Sequence, residues 1–206
     1  MKKTNLKFNN FEDCIAFIIS TLLSPYVTAT IFIVIIGYSY TETLGQFMPW
    51  VLTFFLFGVV LPGIYILWLL ETGQVKNIHI TERKDRQTPF LLIAASSSIG
   101  TLLLWLLGAA KPVVTIAIIY SLNSIIIAVI TFFWKISIHT AMYASIVTMA
   151  WILFGGKIYL LYLLLIPLIW SRVHRKRHTL GQAVFGSLLA SAITALIFWL
   201  FGYIKY

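Results

Sequence analysis

Residues 112–134, PVVTIAIIYSLNSIIIAVITFFW, decide the fold: 23 consecutive residues without a charged side chain, opened by a proline and bounded by Lys111 and Lys135. Folded as a helix rising about 1.5 Å per residue, such a run crosses the roughly 30 Å of hydrocarbon in a bilayer. Working outward, comparable apolar runs recur near 14–38, 47–70, 89–109, 138–154, 158–171 and 181–203. Their recurrence predicts an all-α, polytopic transmembrane helical bundle of about 6–7 spans. Gly45, Lys111-Pro112 and Gly155-Gly156 supply breakers between runs, and Pro62-Gly63 predicts a bend in the second span. The fifth and sixth runs are short, so either they extend into flanking polar residues or they pair as a tight hairpin.

Composition agrees. Of the 206 residues, 60% are hydrophobic and 10% charged, with a mean hydropathy of +0.95, which excludes a soluble domain. The first apolar run is too long for a signal-peptide core and reads as a retained span. A lone Cys14 forms no intramolecular disulfide. Without a linker, repeat or low-complexity tract, residues 1–206 read as a single integral membrane domain. The tryptophans fall mostly near span ends, as interfacial anchors do.

Net charge is +9, carried by 15 Lys and Arg against 6 Asp and Glu. Alternating spans put 12 of those cations on the face of the amino terminus and leave Lys111, Lys157 and Lys205 on the other. The positive-inside rule makes the richer face cytoplasmic, although an anion site would require the same excess. Dispersed over membrane-flanking loops, this charge suits membrane lipid headgroups or anionic substrates, and nucleic acid is not an expected partner. Oligomeric state is left open.

Three polar segments share the cationic face. The first, residues 71–89, holds Lys76, His79, Arg83, Lys84 and Arg86. The second, 135–140, places Ser137 and His139 at the start of a span, where free N–H groups favour a phosphate. The third opens with Ser171-Arg172 and contains His174, Arg175, Lys176, Arg177 and His178, followed by Gln182 and Gly186. Arginine and lysine serve as charge, whereas a histidine near neutral pH also moves protons or attacks as a nucleophile.

The order and spacing of these segments resemble the type 2 phosphatidic acid phosphatase superfamily, membrane lipid phosphatases related to vanadium haloperoxidases. That family carries Lys, six residues, then Arg-Pro; next Pro-Ser-Gly-His; then Ser-Arg, five residues, His, three residues and Asp. Here Lys76 precedes Arg83 by six intervening residues, Ser137-Ile138-His139 resembles the second signature, and Ser171-Arg172 with His178 resembles the third. The signature-bearing core covers about residues 76–186. The resemblance implies a phosphatase acting on a lipid phosphate or polyprenyl (di)phosphate through a phosphohistidine. His178 would be the nucleophile, His139 the general acid, and Lys76, Arg83, Arg172 and Ser137 would hold phosphate, with Ser171 beside them.

Three positions depart from the pattern. Gln182 stands in place of the aspartate, keeping a hydrogen-bond acceptor for His178 but no charge. Ile138 replaces the glycine of the second signature. Lys84 replaces the proline after Arg83 while Pro89 follows Arg86, so either arginine matches the signature. Two readings follow: a divergent phosphatase that uses Gln182, or a family-like membrane protein that binds a lipid phosphate with little or no hydrolysis. A small transporter is a third, but no acidic residue lies in the third to seventh runs. With six carboxylates and no paired Asp-rich motifs, a Mg²⁺-dependent lipid transferase fits poorly, and no cofactor or metal is expected.

Overall fold

The computed structural model describes residues 10–75 and 83–204, which form an all-α polytopic bundle. Its first span is built in two pieces. Helix α1 (Phe11–Leu22) begins with Asn10 Oδ1 accepting the Asp13 N–H at 2.8 Å, and Glu12 and Asp13 occupy the first turn, where the helix dipole favours negative charge. Pro25 cannot donate to a continuing ladder, so α1 ends and Ser24 caps α2 (Pro25–Tyr40), which starts on that proline.

The second span is also interrupted: α3 (Leu44–Phe55) passes through a π turn at Leu56–Val60 into α4 (Leu61–Glu71). Pro62 explains the interruption. It has no N–H for the Gly58 carbonyl four residues back or the Phe57 carbonyl five back. Side chains of other helices take over. Ser96 Oγ donates to Phe57 O at 2.6 Å and Tyr120 OH donates to Gly58 O at 3.0 Å. The bend expected at Pro62-Gly63 is therefore a π bulge one turn earlier. Gly100 permits the close approach this needs, since a Cβ there would lie 2.7 Å from Phe57 Cβ.

A 3₁₀ turn at Lys84–Arg86 leads into α5 (Gln87–Leu106), followed by α6 (Lys111–Phe133) and α7 (Ile138–Phe154). Gly155 and Gly156, both at positive φ, reverse the chain into a 3₁₀ stretch, Gly156–Leu164, that continues as α8 (Leu165–His174); α9 is Leu180–Leu200. Of the two alternatives for the short runs, the fifth stays short, while the sixth lengthens at both ends. A 3₁₀ stretch rises about 2.0 Å per residue, which helps its 19 residues reach across the bilayer. Among the described residues six spans are long and apolar enough to cross, and α7, with 17 residues, is a shorter apolar helix.

Helix α7 is also deeply enclosed: Thr140, Ala141 and Ala144 have no exposed surface. It packs on α9 through small residues, with Ala183, Gly186, Ala190 and Thr194 facing it at helical spacing. Lipid provides no hydrophobic drive between helices, so close packing of small side chains and internal hydrogen bonds replace it. Examples are the Ser145–Thr194 hydroxyl pair at 2.7 Å, the Ser98–Ser121 pair at 2.8 Å, and Thr101 Oγ1 donating to Ala117 O at 3.0 Å. Large apolar side chains such as Ile31, Leu102, Val129 and Leu188 are turned outward, as a lipid-facing belt requires.

Connections at 41–43, 107–110 and Gly155 lie at one end of the bundle, where Lys111 Nζ donates to Phe201 O at 3.0 Å. The start of α5, residues 134–137 and residues 175–179 meet at the other, as spans that alternate in direction require. Lys76 and His79 of the first polar segment lie outside the described residues.

Candidate functional site

The site begins with how α8 ends. Its last turn closes with Arg177 N–H donating to Arg172 O at 3.0 Å and Lys176 N–H to Val173 O at 2.9 Å, a Schellman cap. Lys176 sits at its left-handed position with φ +51°, where glycine is usual. The cap folds the chain back so sharply that His178 N–H also reaches Arg172 O, at 3.3 Å. The five residues separating Arg172 from His178 are thus the length of one helix cap, and they seat both side chains at the same place.

Immediately afterward a capping box starts α9. Thr179 Oγ1 accepts the Gln182 N–H at 3.3 Å, and Gln182 Oε1 accepts the Thr179 N–H at 3.2 Å. The same Oε1 lies 3.2 Å from His178 Nδ1. A backbone N–H only donates, so the oxygen of the Gln182 amide is identified by Thr179, and His178 Nδ1 must be the donor to it. That tautomer leaves the lone pair on Nε2.

The first turn of α9 also fixes the start of α7. Ser137 N–H reaches Gln182 O at 3.4 Å, Thr140 Oγ1 donates to Ala183 O at 2.8 Å, and a Cβ on Gly186 would lie 3.0 Å from Ser137 O. Two independent polar segments are thereby held in one frame. His139, the second residue of α7, and His178 line a common cavity of about 270 Å³.

Arg86 and Arg172 line it too, and all four side chains are buried, with exposures of 4% for Arg86, 2% for Arg172, 9% for His139 and 7% for His178. Arg172 Nη1 donates to Ser20 Oγ at 2.6 Å, while its Nε has no hydrogen-bond partner among the described residues. Burial, followed by the positive charges of Arg86, Arg172 and Lys135, pushes the His178 imidazole down to a pKa of about 3, against a smaller upward pull from the Gln182 hydrogen bond. His178 is therefore neutral at physiological pH.

The other described residues that the sequence predicted do not line the cavity. Arg83 donates to the carbonyls of Thr131, at 3.2 Å, and Phe132, capping the last turn of α6. Between the two arginines that match the signature, Arg86 is the one at the cavity. Ser171 Oγ donates to Leu168 O at 2.7 Å within its own helix. Ser137 is fully buried, its Oγ without a partner among the described residues. Gln182 acts through His178, and Lys76 lies outside the described residues. His174, the other histidine of the third segment, lies 2.9 Å from Asp13 and stacks on Trp170, tying α8 to α1.

Several cavity residues carried no signal of spacing or charge, notably Ser20, Tyr120 and Ser124. Only their polarity within apolar runs marks them, and most such residues bond their own helix. Among the described residues no three His, Cys, Asp or Glu side chains come together. Among the residues lining the cavity, the fixed charge is supplied by Arg86 and Arg172.

The chain matches no family model, curated protein or solved structure. Fold and cavity together define a class, a polytopic helical membrane protein whose buried hollow carries two histidines and two arginines at one end of the bundle.

Proposed function

We propose that the protein is a lipid phosphate phosphohydrolase of the type its signatures resemble, with His178 as nucleophile and His139 as general acid. The observation that carries this reading is the convergence of Arg86, His139, Arg172 and His178 on one cavity. Two buried guanidinium groups at one cavity favour an anion, and the Arg172 Nε–H, without an acceptor among the described residues, would find one in a phosphate oxygen. The rest of the cavity wall is largely apolar, including Ile66, Phe90, Ile93 and Met142, which suits the hydrocarbon part of a lipid.

The chemistry follows from the tautomer. His178 Nε2 attacks phosphorus as the P–O bond to the lipid alcohol breaks, and His139 gives its proton to the departing oxygen. Water then attacks the phosphohistidine, its proton passing to His139, and inorganic phosphate leaves with His178 restored. Arg86 and Arg172 neutralise charge on the equatorial oxygens in both steps. Gln182 keeps Nδ1 protonated but adds no charge to the imidazole. In a serine-protease triad, loss of the orienting carboxylate costs about 10⁴ in rate, so slow turnover is expected here.

Purified protein is expected to release inorganic phosphate from a lipid phosphate or polyprenyl diphosphate in the presence of a chelator. His178→Ala and His139→Ala should each abolish release while remaining monodisperse and helical. Release unchanged in both variants would sink the assignment, and binding without release in the wild type would leave a lipid-phosphate-binding protein. The excess of cations makes the amino-terminal face, and with it the cavity, cytoplasmic. Labelling of Lys176→Cys in a Cys14→Ser background only by reagent outside the cell would reverse that orientation.

A further inference from the structure

Arg172 reaches the site cavity from α8 with one edge of its guanidinium committed and another unmet. Nη1 donates to Ser20 Oγ at 2.6 Å, whereas Nε and Nη2 make no hydrogen bond to the described residues. Nη1 is the nitrogen on the Cδ side of the planar group, so the edge left over is the one formed by Nε and Nη2. That edge presents two parallel N–H groups, the fork that matches two oxygens of a phosphate. Arg172 and Ser20 are both buried and both line the cavity.

Ser20 belongs to none of the three polar segments; α1 delivers it. Asp13, Ala16, Phe17 and Ser20 recur at i, i+3, i+4 and i+7 and therefore share one face of that helix. The face packs on α8. Asp13 lies 2.9 Å from His174 Nε2, the Arg175 guanidinium stands 5.1 Å from the centre of the Phe17 ring, Ala16 is fully buried, and Ser20 meets Arg172. Because the chain breaks at Ser24-Pro25, α1 is released from the line of α2, and these contacts with α8 set its seat.

The residue type matters as much as the place. A carboxylate beside Arg172 would cancel its charge and repel an anion, whereas a hydroxyl accepts the Nη1–H and leaves the charge in force. Neighbouring cavity hydroxyls are spent on helix carbonyls: Thr21 donates to Phe17 O at 2.8 Å, Ser124 to Tyr120 O at 2.8 Å and Tyr120 to Gly58 O at 3.0 Å. We infer that Ser20 is a positioning residue for the anion site: it holds Arg172 by Nη1 so that the Nε–Nη2 edge is offered to the ligand. Helix α1, outside the signature-bearing core, thereby completes the site. The inference rests on the reading of the cavity as a lipid-phosphate site.

The test measures binding of dodecyl phosphate to the full-length protein in nanodiscs, with phosphate release followed in parallel. Ser20→Ala is expected to weaken binding by about tenfold or more, since an untethered guanidinium loses its paired hydrogen bonds to the ligand. Ser20→Thr keeps the hydroxyl and should stay within about threefold of the wild type. Ser20→Asp separates positioning from packing. It keeps an acceptor for Nη1 and should unfold no earlier than Ser20→Ala, yet its charge should lower binding by about tenfold or more. In protein carrying isotope-labelled arginine, the Arg172 Nε–H signal, assigned by its loss in Arg172→Lys, should shift on addition of dodecyl phosphate and fail to shift in Ser20→Ala. Binding and signal unchanged in Ser20→Ala, binding undiminished in Ser20→Asp, or Ser20→Thr no better than Ser20→Ala would overturn the inference, and continued phosphate release would leave the phosphatase reading in place. Binding that depends on Ser20 without release keeps the inference and removes the phosphatase reading alone. A wild type that binds no dodecyl phosphate overturns both.

Discussion

His178 Nδ1 donates to Gln182 Oε1 at 3.2 Å, and that same oxygen accepts the Thr179 N–H at 3.2 Å. One amide oxygen therefore caps α9 and sets the tautomer of the proposed nucleophile. Gln182→Glu retains a carboxyl oxygen for both partners and adds the charge that an imidazolium or phosphoimidazolium favours. It is expected to raise phosphate release by about tenfold or more and to move the His178 pKa upward. Gln182→Ala should lower release and cost about 1 kcal/mol of stability through the lost cap. Initial rates of phosphate release and an NMR titration of His178 check both.

Acid should destabilise the protein through His178. Its folded pKa is about 3, below the ordinary 6.5, so between these values the unfolded chain takes up a proton that the folded chain refuses. Stability from this source is complete above about pH 6.5 and falls as pH drops toward the folded value, by about 2 kcal/mol at about pH 5. Thermal unfolding in detergent at about pH 7.5 and about pH 5 measures the difference, and His178→Ala should reduce it by that amount.

Lys176 holds the left-handed position of the α8 cap at φ +51°. A side chain with a Cβ is strained there, and glycine is not. Lys176→Gly is expected to stabilise the folded protein by about 0.5 kcal/mol, the relief of strain being partly offset by a more flexible unfolded chain. Thermal unfolding should show a small rise in Tm with phosphate release unchanged. A fall would mean that the Lys176 side chain makes a contribution larger than its strain.

Arg83 and Arg86 should separate cleanly. Arg86 lines the cavity, whereas Arg83 caps α6 at Thr131 and Phe132. Arg86→Gln is expected to weaken binding of dodecyl phosphate by about tenfold or more, as loss of a charge-assisted hydrogen bond does. Arg83→Gln should leave binding within about twofold and lower stability by about 1 kcal/mol. Equal loss of binding in both variants would show that phosphate contacts Arg83 as well.

Much of this molecule is legible without coordinates, because insertion into a bilayer depends on properties that add up locally along the chain. Runs such as 112–134 contain enough apolar residues to cross hydrocarbon whatever their neighbours do, and the structure places spans where those runs lie. The Arg172-to-His178 spacing was readable only as a resemblance; that it is the length of a Schellman cap followed directly by the capping box of α9 is a finding of the structure.

Convergence is a different kind of property. Arg83 and Arg86 are both basic residues in one short segment, and nothing local tells which will find helix-end carbonyls and which a cavity; the position of α6 decides. Ser20 looks like any small polar residue in an apolar run until α8 brings Arg172 within 2.6 Å of it. Pro62 announced an interruption, but the π turn required Ser96 and Tyr120 from other helices to satisfy the carbonyls it freed. The sequence by itself determined that the chain spans a membrane repeatedly and which residues could carry phosphate chemistry. Only the tertiary structure decided which of them face one cavity, since contacts between helices distant in sequence depend on side-chain packing.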